Sequence, residues 1–264
     1  MNKINIYRFI LVVFLLSACK DTQENANIQA LQENPMSILG EETDADARII
    51  IMGNDRAEDA DFMNKISCTG IFKNGTNRVM VNSVKLGNYK FPAILAETMY
   101  YDQLLLNRPK FADLADRFGK ITKLEVNGGT EFPSFSKDIR LPEKMGIVNL
   151  PQTISKSNGV TINFTPENSD EDCTNVVIVD YNGSVSKSLH PNMPDRGANM
   201  LKYDTDMGID HIDFSDSDLA EIPLHATVNI ILIRLVKEYI YVADKRIEVL
   251  KITYQYSASA EMVQ

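Results

Sequence analysis

A mainly β fold is predicted, built as two antiparallel β-sandwich (Ig-like) modules behind an N-terminal leader and a flexible tether. Three observations predict it. Short apolar runs with two-residue alternation recur along the chain, clusters of Gly, Pro, Asn and Asp separate them, and no helical pattern alternates with them as a parallel sheet would require.

In chain order, the leader comes first. Lys3 and Arg8 precede the apolar run Phe9 to Leu16, which ends in Leu16-Ser17-Ala18-Cys19. A cationic start, an apolar segment too short to span a bilayer stably and small residues at the cut make residues 1–18 a secretory signal. The aliphatic-polar-small-Cys order resembles the lipobox of bacterial lipoproteins. That resemblance implies that Cys19 is diacylated through its sulfur, with chains such as palmitate, and becomes the new N-terminus. Cleavage leaves 246 of the 264 residues and removes two cations, so the formal charge moves from −9 to −11. Such acidity excludes nucleic acid as a natural partner. No later stretch approaches about 20 consecutive apolar residues, so the membrane is reached through the N-terminal lipid only.

Residues 19–46, lipidated Cys19 included, read as tether, because polar and small residues dominate and apolar ones are scattered. The start, Cys19-Lys20-Asp21, is similar to the short signal that sends Bacteroidota lipoproteins to the outside of the outer membrane. The expected location is therefore the outer membrane, lipid-anchored and surface-exposed.

Residues 47–147 form the predicted N-terminal β-rich module. Arg48 to Met52 is an apolar run closed by Gly53-Asn54-Asp55, and residues 66–72 and 78–86 flank Asn74-Gly75, a hairpin signal. Ala93 to Leu106 reads either as helix or, around Thr98 to Tyr101, as strand, and Pro109 opens a short helical pattern to Ala115. A strand from Ile121 closes at Asn127-Gly128-Gly129, and an extended stretch from Phe132 reaches Leu141. Pro142, Gly146 and Pro151 then place the module boundary near residue 147.

Residues 148–264 form the predicted C-terminal β-sandwich module. Val160, Ile162 and Phe164 alternate with Thr161 and Asn163, Val176 to Tyr181 follows a polar turn, and residues 182–207 read as the longest loop. Ile209 to Phe214 opens another strand-like segment. Val228 to Val236 is apolar on both alternating faces, which fits a central strand covered on both sides. Arg246 to Tyr256 is the last β-rich run. The phrases Ile154 to Pro166, Val176 to Tyr181 and Ile212-Asp213-Phe214-Ser215 leading to Ile222-Pro223 resemble a group of Bacteroidota surface lipoproteins without assigned activity. In that group two β-rich modules follow the lipid anchor, and the resemblance implies no catalytic residue.

The residues offer little catalytic chemistry. Cys68 and Cys173 have no Cys-x-x-Cys partner and sit beside strand-like sequence, so two buried thiols are expected rather than a disulfide. The acidic run Asp204, Asp206, Asp210, Asp213, Asp216 and Asp218 fails the EF-hand spacing, because Gly208 falls fifth and Ser215 twelfth. His190, His211 and His225 lack the His-Glu-x-x-His spacing, and no Gly-x-Ser-x-Gly elbow or phosphate-binding glycine loop occurs. A non-enzymatic role without metal or cofactor is expected, with a protein or glycan ligand. The loop 182–207, with His190 and Arg196 in a core stiffened by Pro191 and Pro194, is the candidate binding surface. The alternative is a glycan-binding platform lipoprotein of a polysaccharide-uptake system.

Overall fold

The apolar run Ile49 to Met52 lies in β1 (Ala47–Arg56), a strand whose Ala47, Ile49 and Ile51 are buried on one face while Arg48, Ile50 and Met52 are half-buried on the other. The computed structural model describes residues 44–56, 63–105, 107–149, 151–167, 172–181, 198–204 and 208–264. β2 (Met63–Asn74) buries Ile66, Cys68 and Phe72 in the same alternating way and turns into β3 (Asn77–Val79). Gly75, at φ +61, takes the first turn position, where an L side chain would be strained. The predicted hairpin is present, with Asn74 still paired to Asn77.

The run 78–86 does not stay one strand. β4 (Ser83–Leu86) belongs to a second sheet, and Asn82 makes the switch by donating its N–H to Asn127 O at 2.8 Å and its side-chain amide to Gly128 O. β5 (Tyr89–Lys90) and β6 (Ala93–Ile94) are short, and a 3-10 turn over Leu95–Glu97 leads into β7 (Met99–Leu105). The ambiguous stretch is thus strand over 99–105, because Tyr100 and Leu104 bury toward the core while Tyr101 and Leu105 face out. Among the described residues α-helix is confined to α1 (Pro109–Ala115), where Pro109 occupies the first turn and Phe111 and Leu114 are buried. β8 (Ile121–Asn127) and β9 (Phe135–Arg140) complete the first half.

The second half contains β10 (Ile147–Val148), β11 (Thr153–Ser155), β12 (Val160–Phe164), β13 (Thr174–Tyr181), β14 (Ala198–Asp204), β15 (His211–Phe214), β16 (Thr227–Val242) and β17 (Lys245–Val263). Two of these correct the sequence reading. β14 lies inside the stretch read as loop, and β17 runs seven residues past Tyr256, through Ser257-Ala258-Ser259-Ala260, which have little strand propensity of their own, to Val263.

The sheets are predominantly antiparallel. The largest follows the order β14-β13-β16-β17-β1-β2-β7-β6, with β11 added to β17 and β3 to β2; β5-β4-β8-β9 and β10-β12-β15 form the other two. Two pairings depart from the antiparallel expectation: β1 and β11 both run parallel to β17. They can do so because neither is joined to β17 by a hairpin.

Two apolar cores result. The first joins Ala47, Ile49, Ile66, Phe72, Tyr100, Ile240, Ile247 and Val249 of the large sheet to α1 and the four-stranded sheet, through Phe111, Leu124 and Val126. The second joins Val177, Val179, Ile230 and Leu232 to Ile162, Phe164, Ile212 and Phe214 of the three-stranded sheet. Along the chain the core changes between Leu141 and Met145, and β16 and β17 contribute to both. Leu232 and Ile240 lie eight residues apart on β16 and so project from one face. Residues 44–264 therefore form one compact unit in which a single sheet face serves two cores.

The fold begins before residue 47. Ala45 is buried, and the Asp46 carboxylate accepts the Arg246 N–H at 2.9 Å and the Lys245 ammonium at 3.1 Å. Residues 44–46, read as tether, are therefore part of the folded unit. Burial alone would raise the Asp46 pKa, but the Arg246 N–H and Lys245 outweigh it and hold the carboxyl below its ordinary value. Its stabilising effect is full above the unfolded carboxylate pKa and is lost as pH falls through the lower folded value. Asp46→Asn is expected to lower the melting temperature near pH 7 and to converge on the parent protein in strong acid, as thermal melts across pH would read.

Candidate functional site

Cys19, His190 and Arg196 lie outside the described residues. What is described is the frame of the predicted loop: Tyr181 on β13 pairs with Ala198 on β14, so residues 182–197 leave and return at adjacent strand positions. Tyr181 is buried in the second core, which anchors one end of that connection.

Among the described residues the acidic run does not converge; Asp206 lies outside them. Asp210 meets its neighbour His211, Oδ1 to Nδ1 at 2.8 Å, and this contact raises the His211 pKa and lowers that of Asp210. Asp213 accepts the Thr161 hydroxyl at 2.5 Å across β12 and β15, as an outward residue of a strand should. Asp218 pairs with Lys202 at 2.5 Å and accepts the Ser215 N–H at 2.6 Å, a local turn closure. Among the described residues, no group of three or more His, Cys, Asp or Glu side chains could hold a metal ion. His225 stands elsewhere, at φ +61, with its Nδ1 3.2 Å from Glu261 Oε1. Cys68 and Cys173 are both free and buried, one in the first core and one near the second. Burial raises the thiol pKa of each, reinforced at Cys68 by Asp102, so neither is activated as a nucleophile.

The polar constellation with the most structure behind it is one that the sequence reading passed over. Arg234 sits within the apolar run of β16, fully buried on the face that carries both cores. Its Nε donates to Asn175 Oδ1 at 2.9 Å, Nη2 to Thr165 O at 2.6 Å, and Nη1 to Glu167 Oε2 and Glu143 O at 3.4 Å each. Glu167 Oε2 also accepts the Glu143 N–H at 2.9 Å, and Thr253 donates to Glu143 O at 3.3 Å. Burial lowers the Arg234 pKa and the Glu167 carboxylate opposes that shift. The guanidinium thus ties residues 143 and 165–167 to the sheet between the cores. A charged residue inside an otherwise apolar strand was the available signal. Its partners were invisible because they come from three separate segments.

A second feature lies on the opposite face of the same hairpin. Tyr239 and Tyr241, two residues apart on β16, are 41% and 72% exposed. The Tyr239 ring is flanked by Arg246, 5.3 Å from its centroid, and by Lys237 at 6.0 Å. Arg246 also meets the Asp44 carboxylate.

No protein-family model matches the chain, and no curated protein matches it.

Removing one partner of a buried pair leaves the other charge uncompensated, at about 3–5 kcal/mol. Arg234→Ala is expected to lose about that much unfolding free energy in urea melts. Arg234→Met combined with Glu167→Leu should lose clearly less, because both charges then leave together. Equal losses would mean that the arginine supplies only packing volume.

Proposed function

We propose that the protein is a non-enzymatic, lipid-anchored surface lipoprotein of the outer membrane that presents a recognition surface on a rigid β scaffold. The observation that carries the reading is Leu16-Ser17-Ala18-Cys19 at the end of the apolar leader. Its position supports it as well: 24 residues separate Cys19 from Asp44, the first residue of the folded unit. At about 3.5 Å per residue they hold Asp44 within roughly 85 Å of an acylated Cys19. No helix among the described residues is long and apolar enough to cross a membrane.

Recognition is assigned to residues 182–197, with Arg196 as the carboxylate-binding group and His190 beside it. The paired ends Tyr181 and Ala198 support this, because a connection held at its base by two strands can present side chains without a catalytic constellation. The glycan platform is the second reading, favoured by the exposed rings of Tyr101, Tyr239 and Tyr241. Tyr239 is already flanked by two cations, which leaves two rings separated by four strand spacings for stacking.

Mass spectrometry of the mature N-terminal peptide should find acyl chains on Cys19, and the protein should fractionate with the outer membrane. A Cys19→Ala protein that is processed and fractionated identically would refute the anchor. In pull-downs from surface extracts with lipid-free protein, Arg196→Ala should weaken capture of the ligand several-fold. Binding unchanged by that variant and by a shortened loop would remove the loop, and robust hydrolysis by the purified protein would overturn the non-enzymatic reading.

A further inference from the structure

We propose that the tip of the β16–β17 hairpin faces a lipid bilayer and rests against an anionic headgroup surface through Tyr241, Tyr239 and the cations around them. The inference deepens the anchored reading and rests on it, since the anchor is what holds this end of the sheet near a membrane.

Strand register defines the surface. Tyr239 pairs with Glu248, which pairs with Arg48, which pairs with Ile71; Tyr241 pairs with Arg246, and Lys73 pairs with Arg78. Cross-strand partners share a face, and so do residues two apart on one strand. Arg48, Lys73, Arg78, Lys237 and Arg246 therefore stand on the tyrosine-bearing face, against the carboxylates of Glu248 and of Asp44 and Asp46, which meet Arg246 and Lys245. Arg48 and Lys237 flank Glu248 at 3.2 Å each. Exposed tyrosines with neighbouring cations suit the boundary between headgroups and acyl chains, where an amphipathic ring has one apolar and one wet side.

The point where the chain enters the fold selects this end. Asp44 contacts Arg246, Asp46 caps Lys245 and Arg246, and the Lys73 N–H donates to Asp46 O at 2.7 Å. Asp44, the first described residue, thus stands against Arg246, the strand partner of Tyr241. Confinement within the tether's reach lets even a weak surface contact be populated.

Charge distribution points the same way. Residues 44–141 hold 14 Lys and Arg against 13 Asp and Glu, and residues 237–250 hold three of each. Residues 142–236 and 251–264 hold seven against 15. The acidic excess of the folded unit therefore belongs to the half that forms the second core. β13, which helps build that core, ends its pairing at Leu235, seven residues from the end of β16. At about 3.3 Å per residue that is roughly 23 Å, beyond the screening length of about 8 Å at physiological salt. An anionic surface would repel the second half while accepting the tip.

The chain has no tryptophan, so Tyr241→Trp introduces a single reporter at the tip. The probe is the mature chain with Cys19→Ser, which carries no lipid, mixed with phosphatidylcholine vesicles with or without phosphatidylglycerol. We expect a blue shift of emission only with the anionic vesicles, reversed by high salt. Adding Lys73→Gln and Arg78→Gln should weaken vesicle partitioning by roughly five-fold for each charge removed. A control reporter, Ile121→Trp on β8, where the parent residue is 69% exposed, should not shift. Three results would overturn the proposal: no shift at position 241, an equal shift at position 121, or a shift produced by soluble glycan fragments without vesicles. Because the acyl chain is absent throughout, these results are independent of whether Cys19 is lipidated in the cell, which mass spectrometry decides.

Discussion

The pairing of β16 with β17 is the constraint on which the rest of this structure depends. The two strands are hydrogen-bonded from Thr227↔Glu261 to Val242↔Lys245 with one irregularity between Asn229 and Ile231, so alternation is continuous from Ile231 to the hairpin end. A continuous strand cannot change which face a given parity occupies. Leu232 of one apolar cluster and Ile240 of the other share a parity, so both clusters sit on one face, and the chain closes each with its own smaller sheet. β1 then completes the arrangement by lying between β17 and β2, which ties the beginning of the fold to its end.

A shared face needs a junction, and the junction is polar. Arg234, Asn175, Thr253, Gln255, Lys251 and Glu167 are all buried there. Buried ion pairs are weak evidence for stability, because desolvation offsets most of the attraction. Here the guanidinium reaches a side chain of β13, the carboxylate of Glu167 and backbone carbonyls at residues 143 and 165. Those directional bonds determine where the segment between the modules crosses the sheet, which apolar contacts alone would leave less defined. Lys251, fully buried two residues before Thr253 on β17, pairs at 3.2 Å with Glu238, which is partly exposed.

The opposite face obeys a different logic. Near the hairpin tip it carries rings and cations rather than a core, and the charges are arranged in compensated clusters such as Arg48-Glu248-Lys237. Such a surface remains soluble while keeping aromatic area available. The acidic excess lies in the other half of the folded unit. A chain with net charge −9 thus has one half close to neutrality, which net charge alone conceals.

Much of this was legible in the sequence because it depends on local periodicity. The apolar run Ile49 to Met52, the alternation at Ile162 and Phe164 and the two-faced apolar run Val228 to Val236 record burial directly, and Asn74-Gly75 marks its hairpin because a glycine is needed at positive φ. The Leu16 to Cys19 motif is likewise local, and the address it implies rests on sequence alone. The partners were not legible. Nothing near Arg234 announces Asn175 or Glu167, and nothing in Ser257 to Val263 announces a strand; these were decided by contacts from residues distant along the chain. β14 was hidden for the same reason, since it is a strand through its pairing with β13. Local sequence specified which residues turn inward, while register across the sheet decided which of them meet, because cross-strand contacts have no signature in a single segment.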